Sequence, residues 1–265
     1  MLELSRTVRF CLSGEDSDLK SPRDNTFSAW PAMRGLGRYY ELEVTCNGEA
    51  DPQTGYFINI KAIDQAVRDN GLPVLIKRIA DEATAAATPM GHLMRALFEA
   101  IDPPLNRTIA QVRLVLTPML SIAIERNDMG TILMRQQYEF SAAHRLHVPA
   151  FSDEENQSTF GKCNNPAGHG HNYRVEVAAR CPIDTNGTTL DPAELDAVVD
   201  REVIEKLDHK HLNVDVPAFA ELNPSVENIV KVVWQMLEHE LPGDSTLDEV
   251  KVWETGKTVC AYRGE

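Results

Sequence analysis

Apolar and polar positions alternate from His171 to Arg180, where Tyr173, Val175 and Val177 are separated by polar neighbours, the period of a strand with one buried face. Ile132 to Arg145 reads as a strand ahead of it. A helical period then takes over. Asp191 suits an N-cap, Pro192 the first turn and Glu194 the third position of a capping box, while Leu195, Val198, Val199, Val203 and Leu207 fall on one face. A second helix is predicted from about Ser225, with Ile229, Val230, Val233, Met236 and Leu237 as its stripe, and Pro242-Gly243 breaks the pattern. Two closing strands, about Val250 to Glu254 and Val259 to Tyr262, flank a turn containing Gly256. The order strand, strand, helix, helix, strand, strand predicts an α+β fold, an antiparallel four-stranded sheet with both helices on one face.

The pattern occurs twice. Gly37-Arg-Tyr-Tyr-Glu-Leu-Glu-Val44 lines up with Gly170-His-Asn-Tyr-Arg-Val-Glu-Val177, and both stretches run through a turn glycine, Gly55 or Gly187, into helical sequence around Ile63-Asp64 or Leu195-Asp196. Further on, Thr108-Ile-Ala-Gln-Val-Arg-Leu-Val-Leu-Thr117 lines up with Thr246-Leu-Asp-Glu-Val-Lys-Val-Trp-Glu-Thr255. Two tandem units are therefore expected, residues 1–129 and 130–265.

Composition agrees with two folded domains: 265 residues, 43% apolar and 25% charged. No apolar run has the length of a membrane span, and Met1-Leu-Glu-Leu-Ser-Arg6 lacks the basic start and apolar stretch of a signal peptide, so a soluble, cytoplasmic protein is expected. Five widely spread cysteines without a C-x-x-C suggest reduced thiols. The net charge of −14 argues against duplex nucleic acid or anionic membrane as partner, since either needs a basic footprint; it does not forbid a small anionic ligand. The first 130 residues carry 14 basic and 17 acidic side chains and the rest 12 and 23, and seven of the eight histidines follow Gly130. Chemistry belongs in the second half.

His169-Gly170-His171 sets two imidazoles at i and i+2, which on a strand project from the same face. His144 closes the preceding predicted strand. If those strands are neighbours, three histidines converge on one cation and leave a fourth position open, the ligand set of a catalytic zinc; ligand type alone also admits copper or iron. Cys163 lies six residues before His169. Beside a divalent cation and Lys162 its thiol would have a depressed pKa and serve as thiolate base or nucleophile; a fourth zinc ligand and a small packing residue are the other readings. Cys181 and Cys260 fall at strand positions and read as packing residues. Asp208-His209, at the end of the first helix, is either a solvated cap or a proton relay in which the carboxylate fixes the imidazole tautomer. Glu254, in Val250-Lys-Val-Trp-Glu-Thr255, either faces solvent or accepts hydrogen bonds from a ligand; the strand alone does not decide.

Phe140-Ser-Ala-Ala-His144, Gly161-Lys-Cys-Asn-Asn-Pro-Ala-Gly-His-Gly-His-Asn-Tyr173, Leu207-Asp-His-Lys210 and Glu254-Thr255, in that order, resemble the 6-pyruvoyl tetrahydropterin synthase family and its relatives the 6-carboxytetrahydropterin synthases, over about residues 132–265. The resemblance implies a tunnelling fold, in which sheets from several subunits close into a barrel with active sites at the interfaces, and hence a homo-oligomer. It implies zinc on His144, His169 and His171, Cys163 as catalytic thiol, Asp208 with His209 as proton relay, and Glu254 anchoring the pterin ring with support from Thr255. Ser225-Val-Glu-Asn228 matches the family's Thr/Ser-x-Glu-Asn stretch, where Glu227 is structural or lines the pocket. The implied activity is a zinc-dependent lyase that converts a small-molecule pterin, 7,8-dihydroneopterin triphosphate, to 6-pyruvoyl tetrahydropterin and releases triphosphate, with magnesium as the triphosphate's companion. Lys162, Arg145 and Lys210 are candidates to meet that triphosphate or serve surface solubility. The five residues between Cys163 and His169 are the spacing of pyruvoyl-forming members, against three in many 6-carboxytetrahydropterin synthases of queuosine biosynthesis. That second product, and a pterin-binding protein without turnover, are the alternatives.

The first half departs from the pattern at each chemical position. Arg38 stands for His171, Leu36 for His169 and Leu116 for Glu254, and no histidine lies near Phe10, where a counterpart of His144 would fall. A degenerate partner domain that supplies barrel surface is expected; Arg34 and Arg38 reaching a neighbouring active site or binding a regulator is the alternative.

Overall fold

A computed structural model describes residues 1–12, 38–81 and 88–265; Arg34, Leu36 and Gly37 lie outside the described residues. The chain forms two compact units, Met1–Met134 with Cys181–Thr189, and Arg135–Arg180 with Leu190–Glu265.

In the first unit, β1 (Leu2–Leu12), β2 (Arg38–Gly48), β3 (Ile109–Val115) and β4 (Leu120–Glu125) pair in that order, each antiparallel to the next. Helix α1 (Ile60–Ala66) runs through a π turn at Val67–Gly71 into α2 (Leu72–Asp81), and α3 (Met90–Ile101) precedes β3 and packs on β3 and β4. Alternate strand residues, Val8, Phe10 and Leu12, Leu42, Val44 and Cys46, and Val112 and Leu114, are buried, as are Ile63, Val67, Leu93, Leu97 and Ile101 of the helices. Each such side chain contributes about 1.5–3 kcal/mol on burial. The remaining strand positions carry polar pairs, Arg9 with Glu41, Arg113 with Glu43 and Gln111 with Glu125.

The second unit begins within β5 (Asp128–His144), followed by α4 (Asp153–Phe160), β6 (His169–Pro182), and α5 (Pro192–Val199), which continues through a π turn at Asp200–Ile204 into α6 (Glu205–Leu207). Then come β7 (Lys210–His211), α7 (Leu212–Asp215), α8 (Val226–Leu237), β8 (Thr246–Thr255) and β9 (Thr258–Tyr262). Strands β5, β6, β8 and β9 are neighbours in that order, and α8 packs on β8 and β9. The expected capping box forms: Asp191 accepts from Ala193 N, and Glu194 reaches back to the Asp191 N–H. Three elements go beyond the expected four strands and two helices, the single-turn helix α7 among them. Strand β7 runs parallel to β5, with Ala142 beside Lys210, and two residues are too few to show a period. Helix α4 is nearly all polar; a Ser152–Glu155 capping box, rather than an apolar stripe, marks it.

The two ladders share one register. Leu42 pairs with Leu114 as Val175 pairs with Val252, and Val112 pairs with Ile124 as Val250 pairs with Tyr262. A register shift falls between Thr45 and Cys46 in β2 and between Ala178 and Ala179 in β6, displaced by the same 133 residues as the pair Leu42 and Val175. The π turns, Val67–Gly71 and Asp200–Ile204, are displaced by 133 as well. Phe10 lies against Tyr40, and Phe140 stacks on Tyr173. No described helix is long and apolar enough to cross a membrane.

Candidate active site

Strand β5 ends at His144 and β6 opens with His169 and His171, whose i, i+2 spacing projects both imidazoles from one face. One ring nitrogen from each of the three lies within 4.8 Å of the others. Gly168 makes the approach possible. Its φ of +74° is left-handed, and a Cβ there would stand 2.7 Å from His211 Nε2 and 3.1 Å from the His144 carbonyl oxygen.

The donor set fits a metal ion. His144 is fully buried, and its Nδ1–H donates to the Pro224 carbonyl at 2.6 Å, which leaves the lone pair on Nε2. That Nε2 stands 3.2 Å from His169 Nε2, close to the roughly 3.4 Å separation of two nitrogens bound tetrahedrally to one zinc at about 2.0–2.1 Å. His169 Nδ1 and His171 Nε2 are buried without a hydrogen-bond partner. Burial, aided by the neighbouring imidazoles and opposed by the Pro224 carbonyl, lowers the His144 pKa to about 4, and burial lowers that of His169. Both are neutral at physiological pH, the state that binds a cation.

Glu254 of β8 reaches the edge of this cluster, its Oε1 3.5 Å from His144 Nε2 and 3.7 Å from His171 Nε2. Since His144 is neutral, the closer contact is not an ion pair. Glu254 is partly buried, and its carboxylate turns toward the histidines. Beneath them Tyr173 places its hydroxyl 3.4 Å from His144 Nδ1, and burial pushes its phenol pKa up, so it stays protonated.

Asp208 and His209 form a second group. Asp208 Oδ1 accepts the Ser141 N–H at 2.8 Å and Oδ2 lies 2.7 Å from His209 Nδ1, while the His209 N–H donates to the Ser141 carbonyl at 2.6 Å. The Ser141 N–H and then His209 hold the Asp208 carboxyl below the usual range. An ionised Asp208 orients His209 with Nδ1–H toward it and Nε2 outward. His209 has φ +56°, strain for a non-glycine residue that these bonds hold in place. His209 and His171 line one recess of about 640 Å³, together with Lys210, His211 and Asp215.

Cys163 sits half-buried in a 3₁₀ turn, Gly161–Asn164, after α4. Its carbonyl accepts Leu146 N at 2.9 Å, and the neighbouring Asn164 Oδ1 meets Arg145 Nε and His147 Nδ1 at 3.2 and 3.1 Å. Among the described residues, no hydrogen bond or ion pair joins the Cys163 thiol or the Asp208–His209 pair to the three histidines. Arg145 and Lys162 border a recess of about 1020 Å³ that also carries Asp153 and Glu154. Thr255 is exposed and ties the β8–β9 turn, its Oγ1 accepting Lys257 N at 3.1 Å. Glu227 is exposed, Cys181 is buried and Cys260 is partly exposed. Sequence reasoning missed the Pro224 carbonyl and the Ser141 backbone, which no side-chain pattern marks, and the hydroxyl of Tyr173, read only as a strand residue.

The family model for 6-pyruvoyl tetrahydropterin synthase matches residues 133–265. The chain belongs to the 6-pyruvoyl tetrahydropterin synthase family. The Drosophila melanogaster 6-pyruvoyl tetrahydrobiopterin synthase is 45% identical over 126 residues, 47% of this chain and 75% of that protein. The human enzyme of the same name is 43% identical over 131 residues, 49% of this chain and 90% of its own. The solved structure of Caenorhabditis elegans 6-pyruvoyl tetrahydropterin synthase is 38% identical, with a TM-score of 0.48 over 51% of this chain and 96% of that one. The family match and the identities to the two named synthases make the chain a lyase of the 6-pyruvoyl tetrahydropterin synthase type. Every candidate side chain, from His144 to Thr255, falls inside the range that the family model matches.

Proposed function

We propose that the second unit is a zinc-dependent lyase that converts 7,8-dihydroneopterin triphosphate to 6-pyruvoyl tetrahydropterin with release of triphosphate. The observation that carries this reading is the cluster of His144, His169 and His171, with neutral His144 and His169 and the Glu254 carboxylate at its edge. Zinc held there supplies Lewis acidity toward the hydroxyls of the substrate side chain. Glu254 is the carboxylate that accepts hydrogen bonds from the amino-pyrimidine edge of the pterin. Asp208 engages His209 Nδ1–H, so that in the neutral ring Nε2 carries the lone pair and points outward, where it can take a proton. Cys163 supplies the second proton-moving group, and the rearrangement is redox-neutral overall, so no redox cofactor is needed. Purified protein given 7,8-dihydroneopterin triphosphate should release triphosphate, and Cys163→Ala should stop the release while zinc stays bound. A zinc-loaded wild type without turnover contradicts the reading.

The first unit we infer to be a degenerate copy of the same fold, serving as scaffold. Support comes from the shared strand register, the matching register shift and the π turns at one displacement. Arg38 and Leu116 stand where His171 and Glu254 stand in the second unit, and neither supplies a zinc ligand of the needed kind. Zinc content of one per chain, lost on His171→Ala, tests this division of roles.

A further inference from the structure

The Ser225-Val-Glu-Asn228 stretch takes no part in the chemistry above, yet its last residue stands close behind the metal cluster. Ligand histidines are oriented by the partner of their other ring N–H, and losing such a partner costs about 10–100-fold in metal affinity. For His144 that partner is the Pro224 carbonyl, 2.6 Å away. A carbonyl only accepts, so it selects the tautomer with the proton on Nδ1. The carbonyl just before it, that of Asn223, receives Asn228 Nδ2 at 2.8 Å and Ser225 N at 2.8 Å. On the other side, Asn223 Oδ1 accepts the His147 N–H at 3.2 Å, three residues beyond His144. Ser225 is the N-cap of α8 but makes no side-chain capping bond, so Asn228, at the third helical position, ties the turn to the helix instead.

We propose that Asn228 is a positioning residue for the metal: by holding the Asn223–Pro224 turn it aims the Pro224 carbonyl at His144 Nδ1 and keeps the Nε2 lone pair turned to the cation. The inference rests on the reading that zinc binds the three histidines.

Asn228→Asp keeps the size of the side chain but removes the donor and sets a carboxylate against the Asn223 carbonyl. Zinc affinity is read by competition with a chromogenic chelator, and the His144 tautomer by nitrogen NMR of the metal-free protein. The wild type should show His144 protonated at Nδ1 only, whereas Asn228→Asp should lose that single tautomer and bind zinc about tenfold more weakly. Asn223→Ala, which removes only the bond to His147, loosens the same turn more gently and should lose about threefold; it decides the matter if Asn228→Asp does not fold. Asp102→Asn alters a buried carboxylate of the first unit that bonds Arg126 and the Ile109 N–H, and should lower Tm while leaving zinc affinity within twofold. Folded variants of Asn228 or Asn223 that bind zinc as tightly as wild type, with His144 still protonated only at Nδ1, would overturn the proposal. So would a folded Asp102→Asn that weakens zinc as much as Asn228→Asp. A wild type that takes up no zinc contradicts the lyase reading instead, whatever the variants do.

Discussion

At the start of β2 the first unit sets Arg38, and two residues on Tyr40 faces Phe10; at the start of β6 the second unit sets His171, and two residues on Tyr173 stacks on Phe140. Leu42 pairs with Leu114 as Val175 pairs with Val252, so the two ladders keep one register on either side of this difference. Register is fixed by the buried face, because a slip of one residue would turn every apolar side chain outward. Residues at the strand ends are under no such constraint. On the proposed reading, a sheet keeps its ladder, its register shift and its π turn while a metal site is present or absent in a few positions at its rim.

The sharpest way to break this comparison is to truncate each of the paired positions. His171→Ala should lower triphosphate release by about 1,000-fold or more and abolish zinc retention, because a two-histidine site no longer holds the ion. Arg38→Ala should leave turnover within about twofold; a large loss would show that the first unit reaches the chemistry after all. Cys163→Ala should cost about 100- to 10,000-fold in kcat with zinc content unchanged, the range of a lost proton-transfer group, as measured by rate and metal analysis on the same sample.

Smaller effects sharpen it. Gly168→Ala meets both a left-handed φ and the His211 ring, so a loss of about 1–3 kcal/mol in denaturant unfolding is expected, with weakened zinc binding. The smallest concerns one register position filled differently in the two sheets, Gln111 in β3 and Glu249 in β8. Burial pushes the Glu249 carboxyl up, but Lys251 and Arg263 more than reverse this and hold it below the ordinary range. Its contribution is then complete above the ordinary glutamate pKa and is lost as pH falls through the lower folded value. Glu249→Gln should cost about 1 kcal/mol at neutral pH, part of the pair being screened at the exposed Arg263, and should flatten stability in the acid range. Unchanged acid unfolding in that variant would show that the charge contributes nothing.

How much of this was legible before any coordinates follows from which interactions leave a period or a cap in the chain. Tyr173, Val175 and Val177 announced β6, and Asp191 with Glu194 announced α5. The i, i+2 histidines and His144 marked the three-histidine cluster because strand geometry brings them to one face. Helix α4 escaped because its face is polar, although Ser152 and Glu155 carried the capping signal. Strand β7 and the π turns leave no residue pattern, and the Pro224 carbonyl that orients His144 is main chain, which sequence does not advertise. Thr255 was read for its place beside Glu254, and its hydroxyl also accepts Lys257 N in the β8–β9 turn, a bond that no pattern in the chain marks.

The central claim is that one of two matching sheets carries a single metal-dependent site. Its most direct test is to titrate metal-free protein with zinc while following triphosphate release from 7,8-dihydroneopterin triphosphate. Release should rise linearly and reach its plateau at one zinc per chain. A plateau at two zinc ions per chain, or full turnover before any zinc is added, would contradict the account.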